Sequence, residues 1–198
     1  SLFADGLGTS QRLLSIADLS SADVEDLFRL AAEWKARTKA REARTPLVGY
    51  SLALVFEKPS LRTRVTFEVG MAQLGGASVY LAGQDIGLGR RESIADVARN
   101  LGRWVDVIAA RTFAQATVDD LARHAGIPVV NALSDFEHPC QALADFFTLW
   151  ERGLDLRRLR LAWIGDGNNV SHSLILLAGL LGAEMTMAVP PGFEPDAR

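Results

Sequence analysis

Residues 51–82 read SLALVFEKPSLRTRVTFEVGMAQLGGASVYLA. Leu52–Phe56 is a short apolar run with the length and composition of a buried strand. From Thr63 onward the apolar positions Val65, Phe67, Val69, Met71, Ala72 and Leu74 fall mostly at helical spacing, and Gly75 and Gly76 end the pattern. Residues 77–82 return to strand character. Strand, helix, strand in about 30 residues is how a chain joins two parallel strands through a helical crossover.

The same alternation continues outward. Downstream come a glycine-rich loop at 83–93, a helix from Ser93 to about Trp104, a strand at 105–110 and a helix at 116–125. A strand IPVVNAL (127–133) and a helix HPCQALADFFTLWE (138–151) follow. Upstream, Ser20 and Asp23 resemble a capping box with Asp in place of the usual Glu. Leu27, Leu30, Ala31 and Trp34 then share one helical face, and KARTKAREAR (35–44) brings basic residues to the helix end. Alternating strands and helices predict an α/β fold whose parallel sheet is covered on both faces. At RGLDLRRLR (152–160) the chain turns polar, and a new unit opens: strand LAWIG, turn DGNN, a helix from about Val170 to Leu181 and strand EMTMAV. One such βαβ unit cannot close its own core. Residues 1–155 are therefore expected to form one α/β domain, and residues 156–198 the incomplete start of a second, similar one.

Composition excludes several functions. The 198 residues are 48% hydrophobic and 23% charged, as in a globular protein with a sizeable core. Lys and Arg total 21 against 24 Asp and Glu, a net charge of -3, so nothing draws this chain to nucleic acid or an anionic membrane. Any anion site must be local. Cys140 is the only cysteine, which rules out an internal disulfide and suits a reducing compartment. The first residues, SLFADGLGTSQRLL, lack the basic start and apolar core of a signal peptide. The most apolar stretch, 173–191, is interrupted by Gly179, Gly182 and Glu184, so it reads as a buried helix and strand instead of a membrane span. A cytoplasmic protein is expected.

Ligands of parallel α/β folds gather where strands end and helices begin. Ser60, Arg62 and Thr63 sit at such a junction: free first-turn amides, hydroxyl donors and a planar guanidinium suit a phosphate. The same residues also suit a Ser cap with surface arginines. The segment is not a Walker loop, and GDGNN is not a dinucleotide fingerprint, because the required glycines are missing. Arg111 ends another strand. His138 begins a helix with Pro139 at its first position, and Gln141 lies three residues on, on the same side of the first turn. Cys140 reads as a small core residue, His124 has no evident partner, and His and Cys are too sparse for zinc. Taken together, the three strand-end loops bring hydroxyls, two arginines, a His and a Gln into one cleft without a carboxylate. Such a cleft suits acyl transfer from an acyl phosphate, driven by positioning and oxyanion stabilisation.

These motifs resemble the aspartate/ornithine transcarbamylase family. Its carbamoyl-phosphate motif is matched by Ser60-Leu61-Arg62-Thr63-Arg64 followed by VTFE, its His-Pro-x-Gln motif by HPCQALAD, and its ornithine branch by GDGNNV. The resemblance implies that Ser60, Arg62, Thr63 and the Leu61 backbone hold phosphate. Arg111 would contact phosphate and the carbamoyl oxygen, Thr63 and His138 would share that oxygen, Gln141 would orient the carbamoyl amine, and Asn169 would meet the amino-acid end of ornithine. The implied reaction transfers the carbamoyl group from carbamoyl phosphate to the δ-amine of ornithine, giving citrulline and phosphate as in arginine biosynthesis, with no cofactor or metal. A homotrimer with sites near the subunit interfaces is implied as well.

Three departures stand out. Leu61 replaces a Thr of the family motif, and Gly87 lies where Gln or His is common in the loop donated across the trimer. The family's His-Cys-Leu-Pro and Ser-Met-Gly motifs have no counterpart, so the chain carries the carbamoyl-phosphate half of a site. Alternatives are a non-catalytic carbamoyl-phosphate-binding fragment, or a transcarbamylase acting on N-acetylornithine, putrescine or aspartate.

Overall fold

The computed structural model describes residues 12–42 and 44–197; the expectation about a signal peptide falls, up to Gln11, outside that range. In chain order the elements are β1 (Arg12–Leu13), α1 (Ser21–Lys39), β2 (Ser51–Phe56), α2 (Leu61–Gln73), β3 (Ala77–Ala82), α3 (Gly83–Ile86) and α4 (Ile94–Trp104). They continue with β4 (Val107–Arg111), α5 (Gln115–Ala125), β5 (Val129–Leu133), α6 (Pro139–Glu151), β6 (Arg160–Ile164), α7 (Asn169–Leu181) and β7 (Glu184–Ala188). Strands β1 to β5 form one sheet in the order β1-β5-β4-β2-β3, with every pairing parallel. Strands β6 and β7 pair in parallel as a separate sheet.

Successive side chains of a strand point to opposite faces, and each face of the main sheet finds its own cover. Ala53, Val55, Ile108, Ala110 and Val129 pack with Val97, Ala98 and Leu101 of α4 and Val118, Leu121 and Ala125 of α5. On the other face Leu52, Leu54, Phe56 and Ala109 pack with Phe67 and Met71 of α2. Helices α4 and α5 cross so closely that a Cβ on Gly102 would stand 1.9 Å from the Ala125 carbonyl oxygen.

A third cluster joins Val24 and Phe28 of α1, Ala142 and Phe146 of α6, and Leu177, Ala178 and Leu181 of α7. The βαβ unit beyond residue 155 thus completes its helix's burial against α1 and α6. This packing corrects the expected face of α1: Val24 and Phe28 are buried, Leu27, Leu30 and Trp34 only half-buried, and Ala31 exposed. The apolar stripe is turned because Phe28 meets Phe147 and Trp150, with ring centroids 5.6 and 6.0 Å apart. Helix α2 begins at Leu61, two residues before the expected start, because Ser60 caps it by accepting the Thr63 N–H at 3.3 Å. Strand β1 has no counterpart in the sequence reading, since two residues carry no periodicity; only its pairing with β5 defines it.

A candidate anion and carbonyl site at the strand ends

Strands β2 and β4 end level, with Phe56 opposite Arg111, and the Glu57 N–H donates to the Arg111 carbonyl at 2.8 Å. The chain leaving β2 turns at once into α2, so Ser60 through Thr63 lie beside the end of β4. Ser60 accepts the Thr63 N–H, and its hydroxyl donates to Thr63 Oγ1 at 2.9 Å. The Thr63 hydroxyl proton is left free to donate elsewhere. No acidic residue lies in the first turn of α2, where the helix N-terminus favours an anion. Leu61 is the first residue of the helix and is 79% exposed, so its side chain contributes packing to neither core face.

The two arginines of the motif have different fates. Arg64 stacks on Tyr80 at 3.9 Å from the ring centroid and pairs with Glu68 at 3.0 Å. Arg62 has no hydrogen-bond or ion-pair partner among the described residues; its neighbour is another cation, Arg111. Burial first, and the charge of Arg62 second, hold the Arg111 pKa below its ordinary value. Arg111 Nε is buried without a partner among the described residues. Among the described residues Glu57 forms no ion pair with either arginine; its carboxylate accepts the Phe113 N–H at 2.8 Å.

His138 precedes the first helical residue of α6, with Pro139 at the position where a missing N–H costs nothing. Its Nδ1 is buried without a partner among the described residues. Burial, with the Arg111 charge added, pushes its pKa from 6.5 down to about 4. At neutral pH the imidazole is therefore uncharged and can offer an N–H to a carbonyl oxygen without giving up a proton. Two guanidinium groups without a counterion among the described residues and one neutral imidazole are an arrangement chemically able to take a multiply charged anion that carries a carbonyl group.

The structure brings Ser60, Arg62, Thr63, Arg111 and His138 to this end of the sheet. Gln141 is exposed, and its amide donates to Asp145 Oδ1 at 2.9 Å, one turn along α6. Asn169, the first residue of α7, donates from Nδ2 to the Ser134 carbonyl at 2.7 Å, and its Oδ1 has no partner among the described residues. His124 is half-buried on α5. Cys140 donates to the Asn131 carbonyl at 3.6 Å, and burial pushes its thiol up to about 11, far from a nucleophile's range. Among the described residues, no group of three or more His, Cys, Asp or Glu could hold a metal ion. Gly87 has φ 61 and a Cβ there would lie 2.7 Å from Arg91 Cβ, so a Gln or His would be strained at that position. Glu137, beside His138, was missed by sequence reasoning. It is 1% exposed, and an acidic residue next to a helix start carries no signal of such burial.

Known proteins give the arrangement its context. Residues 11–151 match the model of the aspartate/ornithine carbamoyltransferase carbamoyl-P binding domain, and residues 157–198 match that of the Asp/Orn binding domain. Ornithine carbamoyltransferase of Anoxybacillus flavithermus is 50% identical over 182 residues, 92% of this chain and 58% of that protein. The Pyrococcus horikoshii enzyme of the same name is 47% identical over 94% of this chain and 59% of its own length. Among solved structures, the Pyrococcus furiosus ornithine carbamoyltransferase superposes with a TM-score of 0.91 at 46% identity, covering 93% of this chain and 59% of that one. The Thermus thermophilus structure gives 0.87 at 49% identity, covering 95% and 64%. The chain thus spans about three fifths of the length of these relatives. Matches to both domain models, the first over the five-stranded parallel sheet and the second over the β6–β7 unit, lead to one assignment: this chain belongs to the aspartate/ornithine carbamoyltransferase family.

Proposed function

We propose that this chain supplies the donor half of a carbamoyl-transfer site and, with an acceptor half, moves the carbamoyl group of carbamoyl phosphate to the δ-amine of ornithine. The observation that carries the reading is the pair Arg62 and Arg111, side by side with no carboxylate between them and with His138 under the field of Arg111. Uncompensated cations at a strand end are costly without an anion, and a phosphate dianion offsets that cost.

In this reading Ser60, Arg62, Thr63 and the Leu61 N–H hold phosphate, and Arg111 bridges phosphate and the carbamoyl oxygen. Thr63 and the neutral His138 donate to the same oxygen as it gains charge, and Gln141 orients the carbamoyl amine by leaving Asp145. The uncharged δ-amine attacks the carbonyl carbon and forms the new C–N bond. The tetrahedral intermediate then collapses, the C–O bond to phosphate breaks with its electron pair, and the amine proton passes to the departing phosphate. Asn169 Oδ1 accepts from the α-ammonium of ornithine. The family membership and the names of the relatives support ornithine as acceptor, and no step calls for a metal or an organic cofactor. The division of the chain near residue 155 into donor and acceptor units, cytoplasmic residence and a homotrimer with sites near its interfaces belong to the same proposal.

The relatives extend well beyond the length of this chain, which favours a second reading: the 198 residues alone bind carbamoyl phosphate without transferring it. Incubation of the full chain with carbamoyl phosphate and ornithine, N-acetylornithine, putrescine or aspartate separates these outcomes. Citrulline as the main product establishes the first reading, and binding without any carbamoylated product establishes the second. Preference for another amine by more than about tenfold at equal concentration, about 1.4 kcal/mol, removes ornithine.

A further inference from the structure

Glu137 is 1% exposed, and each hydrogen bond to its carboxylate comes from a donor. Ser15 Oγ donates to Oε1 at 2.5 Å, while the Ile16 N–H at 3.1 Å and Ser173 Oγ at 3.0 Å donate to Oε2. The Ser173 hydroxyl, 0% exposed on α7, also accepts the backbone N–H of His138 at 3.0 Å. A hydroxyl has one proton. With that proton committed to Glu137, the Ser173 oxygen presents its lone pairs to His138. Two further α7 side chains hold the same segment: Asn169 Nδ2 donates to the Ser134 carbonyl at 2.7 Å, and His172 Nδ1 to the Phe136 carbonyl at 2.7 Å. The loop that aims His138 is therefore gripped along residues 134–138 by a helix of the other unit.

From this we infer that Ser173, oriented by Glu137, is a positioning residue that holds His138 at the head of α6, so that the acceptor unit's helix sets the geometry of the donor site. The inference rests on the carbamoyl-phosphate reading of that site. Phosphate is held there by α2 and Arg111, which Ser173 does not touch, whereas the carbamoyl oxygen depends on His138. Disturbing the grip must weaken recognition of the carbamoyl group and leave recognition of phosphate unchanged.

The test is calorimetric titration of the full chain with carbamoyl phosphate and, separately, with inorganic phosphate, alongside thermal unfolding. Ser173→Ala and Glu137→Leu are expected to lower the preference for carbamoyl phosphate over phosphate by about fivefold, the weight of one neutral hydrogen bond. Glu137→Gln retains the preference, because its carbonyl oxygen can still accept from Ser173 and Ile16. Ser15→Ala, which touches Glu137 on the side away from His138, lowers the unfolding temperature without changing the preference. If Glu137→Leu does not fold, Ser173→Ala decides alone. Equal losses for the two ligands in Ser173→Ala, or no loss for either, would overturn the inference. A parent chain that shows no preference for carbamoyl phosphate over phosphate defeats the underlying reading instead, and does so before any variant is made.

Discussion

Replacing Arg62 by Ala separates the binding role of this side chain from its structural one, because the two effects have opposite signs. Arg62 makes no hydrogen bond or ion pair within the described protein, and its charge acts on Arg111, which is already strained by burial. Its removal relieves a repulsion between cations that is partly screened by water. The gain in folding stability is about 0.2–1 kcal/mol, the range of exposed charge pairs, and raises the unfolding temperature by roughly 1–3 °C. Phosphate, in contrast, loses a charge-assisted contact of about 1.5–3 kcal/mol, which weakens binding by about 10- to 150-fold. Because Arg62 is exposed, the difference between parent and variant shrinks as salt is raised. Titration calorimetry with inorganic phosphate at low and high salt, paired with differential scanning calorimetry, reads both quantities from one preparation. An Arg62→Ala chain that binds phosphate within about twofold of the parent, a difference of about 0.4 kcal/mol, refutes the assignment of the two arginines to an anion.

Four further outcomes are expected. The His138 imidazole titrates near 4 instead of 6.5 in carbon-detected NMR of the folded chain, and a midpoint near 6.5 contradicts the burial and Arg111 field described above. Since the unfolded chain binds that proton first, the His138 contribution to stability is complete above pH 6.5 and is lost as pH falls toward about 4. His138→Asn flattens that part of the stability profile, and an unchanged slope argues against it. The Cys140 thiol, pushed up to about 11, reacts with an alkylating reagent at neutral pH only after unfolding; modification of the native chain at the rate of a free thiol is the contrary result. Gly102→Ala forces a methyl group into the Ala125 carbonyl and lowers stability by about 3 kcal/mol, checked by urea unfolding; a loss below about 1 kcal/mol disproves the close crossing. Leu61→Thr adds a hydroxyl at the first turn of α2 and strengthens phosphate binding by about 0.5–1.5 kcal/mol; unchanged affinity means that the Leu61 side chain faces away from the anion.

The division between what was legible and what was not follows the range of the interactions. The parallel α/β architecture could be read because Leu52–Phe56, Ala77–Ala82 and the helix between them each carry a local pattern that a single segment expresses. Ser20 and Ser60 could be read as helix caps for the same reason: a cap bonds to a residue three positions away. The face of α1 could not, since Leu27 and Val24 are equally apolar and only the rings of Phe147 and Trp150 select between neighbouring stripes. Strand β1 was illegible because its definition lies wholly in β5.

The same holds at the candidate site. Sequence by itself determined the family and nominated Ser60, Arg62, Thr63, Arg111 and His138, because each lies in a short motif at a strand end. It named Arg62 and passed over Arg64, but what each of them meets is set by the fold: Arg64 finds Tyr80 and Glu68, while Arg62 finds Arg111. It could not reveal Glu137, whose partners Ser15 and Ser173 stand 122 and 36 residues away. Desolvation and orientation of polar groups depend on which distant segments close over them, and that is settled only when the sheet and α7 bring those segments together.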